Sequence, residues 1–287
     1  MNRIESASPS RVVRSDLPSG LTAKIRRSLR LIGAMLRIRL GSRMMYRASF
    51  LTAFFVDITV FATQLAVFST LFLSVDSVNG WSREQMVFFV GTFTIIDGLE
   101  MCLFFFGVLS IPEKIRDGKL DLFLSKPASP LLLVSFESID PGSGFIALPG
   151  IAMVVWAAVR MRIAVTPARL LGYLFLIAAM LVLLYDLLVL LRTIAFWVVR
   201  TGALEELENE LVNFTFRIPG IVFKGAAKLV FYVLLPYSLI ATIPTQFFTG
   251  LLTGWEWLST LAVTAVFSGL TWLAWKRGLR QYGSTGS

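Results

Sequence analysis

The sequence predicts an all-α integral membrane protein with six transmembrane helices, preceded by an amphipathic interfacial helix. Two properties of the 287-residue chain support this class: 56% of its residues are hydrophobic, and its mean hydropathy is +0.74. Only 16% of its residues are charged, whereas a soluble domain carries about a quarter. The apolar residues are too many for a single soluble core and indicate several membrane spans.

The same composition excludes several kinds of chemistry. Histidine is absent and Cys102 is the only cysteine, which excludes histidine acid–base catalysis, His/Cys metal sites and an intrachain disulfide. No G-x-x-x-x-G-K-[ST] motif occurs, so the chain is not expected to bind ATP itself. Asp117 and Asp121 are four residues apart, but cationic side chains surround them and no metal site is predicted there. We therefore predict a non-enzymatic chain without a cofactor of its own.

The N-terminal region precedes the first predicted span. Residues 1–20, rich in Ser, Pro and Arg, are predicted to form a disordered cytoplasmic tail. Residues 21–48 are predicted to form a basic amphipathic helix in the inner interface, because apolar residues recur every three or four positions and arginines lie opposite them. This apolar stripe consists of Leu21, Ile25, Leu29, Ile32 and Leu36. A surface anchor for anionic lipid is preferred over the alternative, an elbow that transmits motion to the first span.

Six apolar stretches approach the length of about 20 residues that a spanning helix needs. They cover residues 50–73, 86–109, 145–159, 170–191, 229–248 and 257–275. The third stretch is short and contains Pro149-Gly150, but the distribution of charge requires it. Without it every later loop would change sides and the excess of cationic residues in one set of loops would be lost.

The distribution of basic residues sets the predicted orientation. With both termini in the cytoplasm, only four of the 27 Lys and Arg residues fall in the outer segments, namely Arg83, Arg160, Arg162 and Arg169. Cytoplasmic loops carry such an excess of Lys and Arg. The net charge of +9 is therefore interpreted as cytoplasmic loops in contact with anionic lipid, and nucleic acid is not a predicted partner.

Four acidic residues lie inside the apolar stretches: Asp57, Asp97, Glu100 and Asp186. A charged group at membrane depth is costly unless it is neutralised, paired or in contact with water. Asp97 and Glu100 are three residues apart and share a helix face. All four acidic residues are interpreted either as part of a translocation path or proton relay, or as contacts between helices or partners of arginines near the span ends, such as Arg47 and Arg192. The contact is preferred for Asp57 and Asp186, and both interpretations stay open for Asp97 and Glu100.

A segment between the fourth and fifth predicted spans is acidic. In residues 203–215, which begin ALEELENELVNF, a stripe is formed by Leu204, Leu207, Leu211 and Phe214, and the glutamates 205, 206, 208 and 210 are taken to face away from it. We predict a cytoplasmic amphipathic helix with a solvated acidic face. It could also dock onto the basic N-terminal helix or a partner subunit.

The segment 111–130, IPEKIRDGKLDLFLSKPASP, follows the second predicted span. Pro112 suits the first turn of a new helix, Gly118 can end that helix with a positive φ, and Pro127 and Pro130 stop the apolar stretch that follows. A signal that only ends a membrane span needs Lys and Arg but not these glycine, aspartate and proline residues. The segment is therefore predicted to dock a partner.

The same segment carries a family resemblance. Its pattern I-x-x-K-I-R-D-G-K-L-D-x-x-L-x-K-P-x-S-P is similar to the segment after the second span of ABC-2 type transporter permeases. The segment is most similar to the branch of these permeases with the pattern I-R-x-G-x-L-D-x-x-L-x-x-P-x-x-P-L. A second region, LLPYSLIATIPTQFFTG at 234–250, resembles the fifth span of that branch, and most of the chain from 21 to 280 follows the family order. SIDPGSGFIALPG departs from the family, which has a longer and smoother third span.

The resemblance implies the permease subunit of an ATP-driven exporter in a prokaryotic inner membrane. It implies a second permease subunit, identical or related, and two separate ABC ATPase subunits that bind ATP and Mg²⁺. The residues that match the motif are Ile115, Arg116, Gly118, Lys119, Leu120, Asp121 and Pro127. In this interpretation Ile115 and Leu120 fill a groove on the ATPase, Arg116 and Asp121 make charged contacts or fix the turn, and Gly118 sets the bend.

Two alternatives belong to other classes. An ion-coupled secondary transporter would use Asp97 and Glu100 as proton carriers, although no internal repeat of the kind found in such transporters is evident. A polytopic membrane enzyme would need an acidic metal motif at the membrane face, for which the chain offers only Asp117 and Asp121.

Overall fold

A computed structural model describes residues 79–126, 128–198 and 202–285, together with isolated positions at Gly33, Thr59, Ala62, Thr63, Ala66, Thr70 and Ser77. Within those three ranges the chain forms helices and turns without a β-strand. Apart from these isolated positions, the predicted tail 1–20, interfacial helix 21–48 and first span 50–73 lie outside the described residues, as do Asp57 and Pro127.

The second predicted span is confirmed and extends beyond its predicted limits. Helix α1, Arg83–Glu100, begins with a capping box in which Ser82 and Gln85 exchange hydrogen bonds. A π-helical turn, Met101–Phe105, follows, then α2, Phe106–Leu109, and α3, Ile111–Arg116. Because the wide turn frees a carbonyl, that of Cys102 accepts the Asp140 amide at 2.9 Å.

The third predicted span is also helical. A 3-10 turn, Ser143–Ile146, leads into α6, Ala147–Arg160, and together they are 18 residues long. Pro149 is the third residue of α6, where its missing N–H costs no helical hydrogen bond. Gly150 allows α6 to pack closely on α1, since a Cβ atom there would lie 2.7 Å from the Gly91 carbonyl oxygen.

Helices α7, Pro167–Thr193, and α11, Gly254–Thr285, confirm the fourth and sixth predicted spans. Helices α1 and α7 run in the same direction: the hydroxyls of Thr92 and Tyr173 are 2.9 Å apart, and the rings of Phe104 and Tyr185, each 12 residues further on, are 5.2 Å apart. The bundle therefore has one end at which both helices finish and an opposite end at which both begin. The first is called the coupling-segment end, after residues 111–126, the coupling segment, which lie there.

The fifth predicted span, 229–248, is wrong as a continuous helix. Helix α9, Gly225–Leu229, and the π-helical Val230–Leu234 are separated from Pro236–Thr249, which contains α10, Leu239–Thr249, by a bend of 83°. The bend falls at Leu235, whose φ is −130° and ψ is 75°. The following proline disfavours helical geometry at this residue. The described residues hold four helices long and apolar enough to cross a membrane, or five if this bent pair counts as one.

Helix α8, Gly202–Arg217, does not lie on the surface of the coupling-segment end as predicted. Its 16 residues correspond to about 24 Å. Beyond its C-terminus the Gly220 amide donates to the Thr242 hydroxyl at 2.9 Å, and the Asn79 side chain donates to the Ile221 carbonyl. Asn79 precedes α1, so α8 runs alongside the bundle from the coupling-segment end to the opposite end.

Two short helices complete the described part. They are α4, Asp121–Leu124, and α5, Pro130–Ser135, both at the coupling-segment end. Gly107 in α2 allows α5 to pack against it, since a Cβ atom there would lie 2.0 Å from the Ser135 carbonyl oxygen.

Candidate coupling segment and buried charged cluster

The coupling segment, residues 111–126 in the described structure, consists of α3, a turn and α4. The predictions for Pro112 and Gly118 are confirmed: Pro112 lies in the first turn of α3, and Gly118 has a φ of +70°. The Leu120 amide donates to the Lys114 carbonyl at 3.1 Å and closes the turn. Residues with a side chain rarely adopt this left-handed backbone conformation, so glycine is the residue that fits there.

One face of the coupling segment is anchored in the bundle. Ile111 and Leu120 are fully buried and Phe123 is 7% exposed, while Ile115 packs partly buried against the same core. The predicted role of Leu120 in a partner's groove is therefore wrong. The turn at Gly118 directs Leu120 into this chain's own core.

The other face is exposed. Leu122 is 66% and Leu124 is 40% exposed, and the side chains of Arg116, Lys119 and Asp121 are also at the surface. The sequence analysis missed the two leucines because LDLFL has no periodicity that separates its buried from its exposed positions. Phe123 decides the orientation of α4, since it is buried between Lys114 and Lys126, whose ammonium groups lie 5.6 Å and 5.0 Å from its ring centroid.

The charges of the coupling segment are largely satisfied within the turn. Lys119 pairs with Glu113 at 3.0 Å and with Asp117 at 2.9 Å, and Arg116 lies 3.7 Å from Asp117. The hydrogen bond from Lys119 holds the pKa of the Asp117 carboxyl below its usual value, and hydrogen bonds to Asp117 and Glu113 hold the pKa of Lys119 above its usual value. Exposed ion pairs contribute little stability, so these contacts shape the turn rather than hold the fold.

The coupling segment contacts the ends of two long helices. Helix α3 packs on the 3-10 turn Ile194–Phe196 that follows α7. The ring of Phe196 lies 5.5 Å from that of Trp275 in α11, and Tyr282 in α11 hydrogen-bonds the Asp121 side chain. A movement of the coupling segment would therefore displace the ends of both α7 and α11.

Replacing Gly118 with alanine is expected to loosen the turn without a steric clash. A Cβ atom at this position meets nothing within 4 Å, so the cost is the left-handed φ, about 1–2 kcal/mol. Amide hydrogen exchange of residues 120–124 should then be about five- to thirtyfold faster. Gly118→Asn should exchange more nearly as the wild type does, because asparagine tolerates this conformation. Unchanged exchange in Gly118→Ala would show that the turn does not depend on glycine.

A buried charged cluster lies where α1, α7, α8 and the Pro236–Ser238 turn meet. Arg192 and Glu208 are 2% and 1% exposed, and the Arg192 guanidinium lies 2.7 Å from the Glu208 carboxylate. The Tyr237 hydroxyl donates to the other Glu208 oxygen at 3.4 Å. The prediction that Glu208 faces solvent is therefore wrong. The sequence did contain a signal for this burial. Glu208 is four residues after Leu204 and three before Leu211, so it lies on the apolar stripe of the helix.

Glu100 belongs to the same cluster. It is 4% exposed, and its Oε2 atom has no hydrogen-bond partner within the described part of the chain. Its charge interacts unfavourably with Asp97, which is partly buried, and with Glu208. The cluster thus brings the Glu100 and Glu208 carboxyl groups near each other, and the single guanidinium of Arg192 pairs with Glu208. Because an uncompensated buried charge is costly, part of this negative charge must be neutralised by protons or by a further cation.

Asp186 has different partners. Its carboxylate accepts a hydrogen bond from Ser268 in α11, and its backbone carbonyl accepts one from Thr271 at 3.2 Å. It therefore joins α7 to α11 through hydroxyl groups rather than through Arg192, which pairs with Glu208. This agrees with the interpretation of Asp186 as a contact between helices.

An all-α bundle whose described residues include four helices long and apolar enough to cross a membrane defines a multi-pass membrane protein. The comparison with protein families makes this specific. A family model described as "ABC-2 family transporter protein" matches residues 58–286, so the chain belongs to the ABC-2 transporter family. It is a multi-pass membrane protein and a permease of an ABC transporter. Neither the curated proteins nor the solved structures contain a significant match to this chain.

Proposed function

We propose that this permease couples ATP hydrolysis on separate subunits to export of a substrate. Two ABC ATPase subunits dock at the coupling segment and bind the ATP and Mg²⁺, and a second permease subunit, identical or related, completes the complex. The coupling-segment end then faces the cytoplasm of a prokaryotic cell, with both termini on that side, and residues 21–48, the predicted basic helix, contact anionic lipid. Helix α11 has free surface for a second subunit or for lipid, since only 17% of the residues in its 18-residue apolar stretch are buried.

The observation that carries this proposal is the division of the coupling segment into two faces. Ile111, Leu120 and Phe123 hold the segment in the bundle, while Leu122 and Leu124 project from it beside exposed charges. Isolated exposed leucines are common on proteins, but here they lie on an element anchored to two long helices. A partner bound to the exposed face of the segment would therefore also move its anchored face and the two helices that it contacts.

Replacing Leu122 with aspartate is expected to abolish co-purification of the ATPase. Leu122 is 66% exposed, so the substitution should leave the fold intact while it places a charge in an apolar contact. The measurement is a pull-down of the ATPase on the tagged permease from native membranes, with permease expression checked. Leu122→Met is the matched control and should retain the ATPase. Undiminished association of the aspartate variant would contradict docking at this face.

An ion-coupled transporter is the second candidate, and Glu100 is the observation that favours it. A fully buried carboxyl oxygen without a hydrogen-bond partner among the described residues could accept and release a proton during transport. Proteoliposomes distinguish the candidates. Transport driven by a pH gradient without ATPase subunits would support ion coupling, whereas transport that requires ATP and the ATPase supports the first proposal.

A further inference from the structure

A cavity of about 340 Å³ opens at the end of the bundle opposite the coupling segment. Its walls come from the loop before α1, the turn after α8, helix α9 with the π-helical Val230–Leu234 that follows it, the end of α10 and the start of α11. The residues that give it its chemistry are Asn79, Trp81, Lys228, Tyr232, Gln246 and Glu256. Its volume is at the lower end of the range for small-molecule sites, which suits a head group rather than a whole lipid.

The cavity carries one cation and one anion that do not neutralise each other. Lys228 is exposed, and its ammonium lies 5.3 Å from the centroid of the Tyr232 ring. The charge of Glu256 acts on the hydroxyl of the same tyrosine. Among the ion pairs of the described residues none joins Lys228 to Glu256. Tyr232 is thus near both a cationic and an anionic side chain.

Two further features show a preformed polar site. The Oε1 atom of Gln246 is buried and has no hydrogen-bond partner in the described ranges, and an unpaired buried acceptor is costly unless a ligand or water donates to it. Tyr232 packs closely against Gly220, since a Cβ atom on that glycine would lie 2.5 Å from the tyrosine hydroxyl. The Tyr232 ring already lies under the Lys228 ammonium, and the second aromatic wall, Trp81, is of the kind that attracts an ammonium group.

We infer that this cavity binds a zwitterionic head group, a phosphodiester joined through a short linker to an ammonium group. Lys228 contacts the phosphate, while Glu256 and the Gln246 carbonyl receive the ammonium beside Trp81. Glu256 already accepts hydrogen bonds from Thr253 through Oε2, which holds its carboxylate at the start of α11. The role of the site in receiving or releasing an exported amphiphile rests on the proposed function, but binding of the head group does not.

The test is native mass spectrometry of the full-length chain released from nanodiscs that contain equal amounts of phosphatidylethanolamine and phosphatidylglycerol. Wild type should retain phosphatidylethanolamine preferentially, and Lys228→Gln and Glu256→Gln should each weaken its retention about tenfold, the effect of one lost charge-assisted hydrogen bond. The matched control is Lys276→Gln, because Lys276 also lies over an aromatic ring, 4.7 Å from that of Trp272, but in the half of α11 nearer the coupling-segment end.

A competition experiment distinguishes the source of the head group. Soluble glycerophosphoethanolamine should displace the bound lipid from the wild type, whereas inorganic phosphate should not. The inference is overturned if phosphatidylglycerol is retained equally, if phosphate competes as well, or if Lys228→Gln and Glu256→Gln bind as the wild type does. It is also overturned if Lys276→Gln weakens retention equally. Because binding needs no ATPase, failure here is separate from failure of the export proposal.

Discussion

Replacing Arg192 with methionine is expected to destabilise the protein by about 3–5 kcal/mol, the usual cost of breaking a buried ion pair. Arg192 and Glu208 are almost fully buried and 2.7 Å apart. Without the guanidinium, Glu208 would be left beside Glu100, whose charge already opposes it. Methionine fills much of the volume of arginine, so the loss should come from charge rather than from a cavity.

The reverse change separates the charge of the pair from its packing. Glu208→Gln should cost less than Arg192→Met, because it removes the repulsion from Glu100 together with the attraction to Arg192. The double variant Arg192→Met/Glu208→Leu should recover much of the lost stability, as apolar replacements of buried ion pairs often do. Such recovery would show that the loss in Arg192→Met comes from the uncompensated charge of Glu208 rather than from lost packing.

The measurement is thermal loss of the monodisperse species in detergent, followed by fluorescence-detected size exclusion. Glu206→Gln and Glu210→Gln are the matched controls, since both glutamates lie on α8 and are exposed; they should unfold as the wild type does. If Arg192→Met were as stable as these controls, the buried pair would contribute nothing to the fold.

Replacing Gly107 with valine is expected to have the second large effect. Even the Cβ atom would lie 2.0 Å from the carbonyl oxygen and 2.6 Å from the carbonyl carbon of Ser135. Both are backbone atoms that cannot rotate away, so α2 and α5 must separate. Overpacking typically costs 1–3 kcal/mol and occasionally more, and we expect a value of at least about 3 kcal/mol here.

The position of Gly107 gives this change a functional consequence. It lies four residues before Ile111, where the coupling segment starts, so separation from α5 should also tilt that segment. The readout is the yield of monodisperse protein together with ATPase association of the fraction that folds. Gly269→Ala is the control, because a Cβ atom on this helical glycine would meet nothing within 4 Å, and the change should be neutral or slightly stabilising. Wild-type yield and association in Gly107→Val would contradict the close packing.

The prediction from sequence worked where the signal is local. The apolar stretches within α1, α6, α7 and α11 were located because hydropathy over a window of about 20 residues depends only on neighbours in the chain. Gly118 was assigned a positive φ correctly for the same reason, since a glycine between short helical stretches satisfies a purely backbone requirement.

The burial of particular side chains was not predictable in that way. Leu120 and Leu122 are two residues apart, yet the first is fully buried and the second is 66% exposed. Nothing in LDLFL distinguishes them, because their exposure depends on how the Gly118 turn places α4 against the bundle. The proposed ATPase-facing leucines of the coupling segment are therefore Leu122 and Leu124 rather than Leu120.

The sequence by itself determined the class of the protein, the location of four long apolar helices and the turn of the coupling segment, because each follows from the composition or backbone preference of a continuous stretch. Only the tertiary structure decided the course of α8, the 83° bend before α10 and the cavity opposite the coupling segment. The physical reason is that a charged residue can be buried when its partner lies elsewhere in the chain. From the sequence, the charge of Glu208 indicated that α8 is a surface helix. In the structure, Arg192, which is 16 residues earlier and on another helix, compensates that charge.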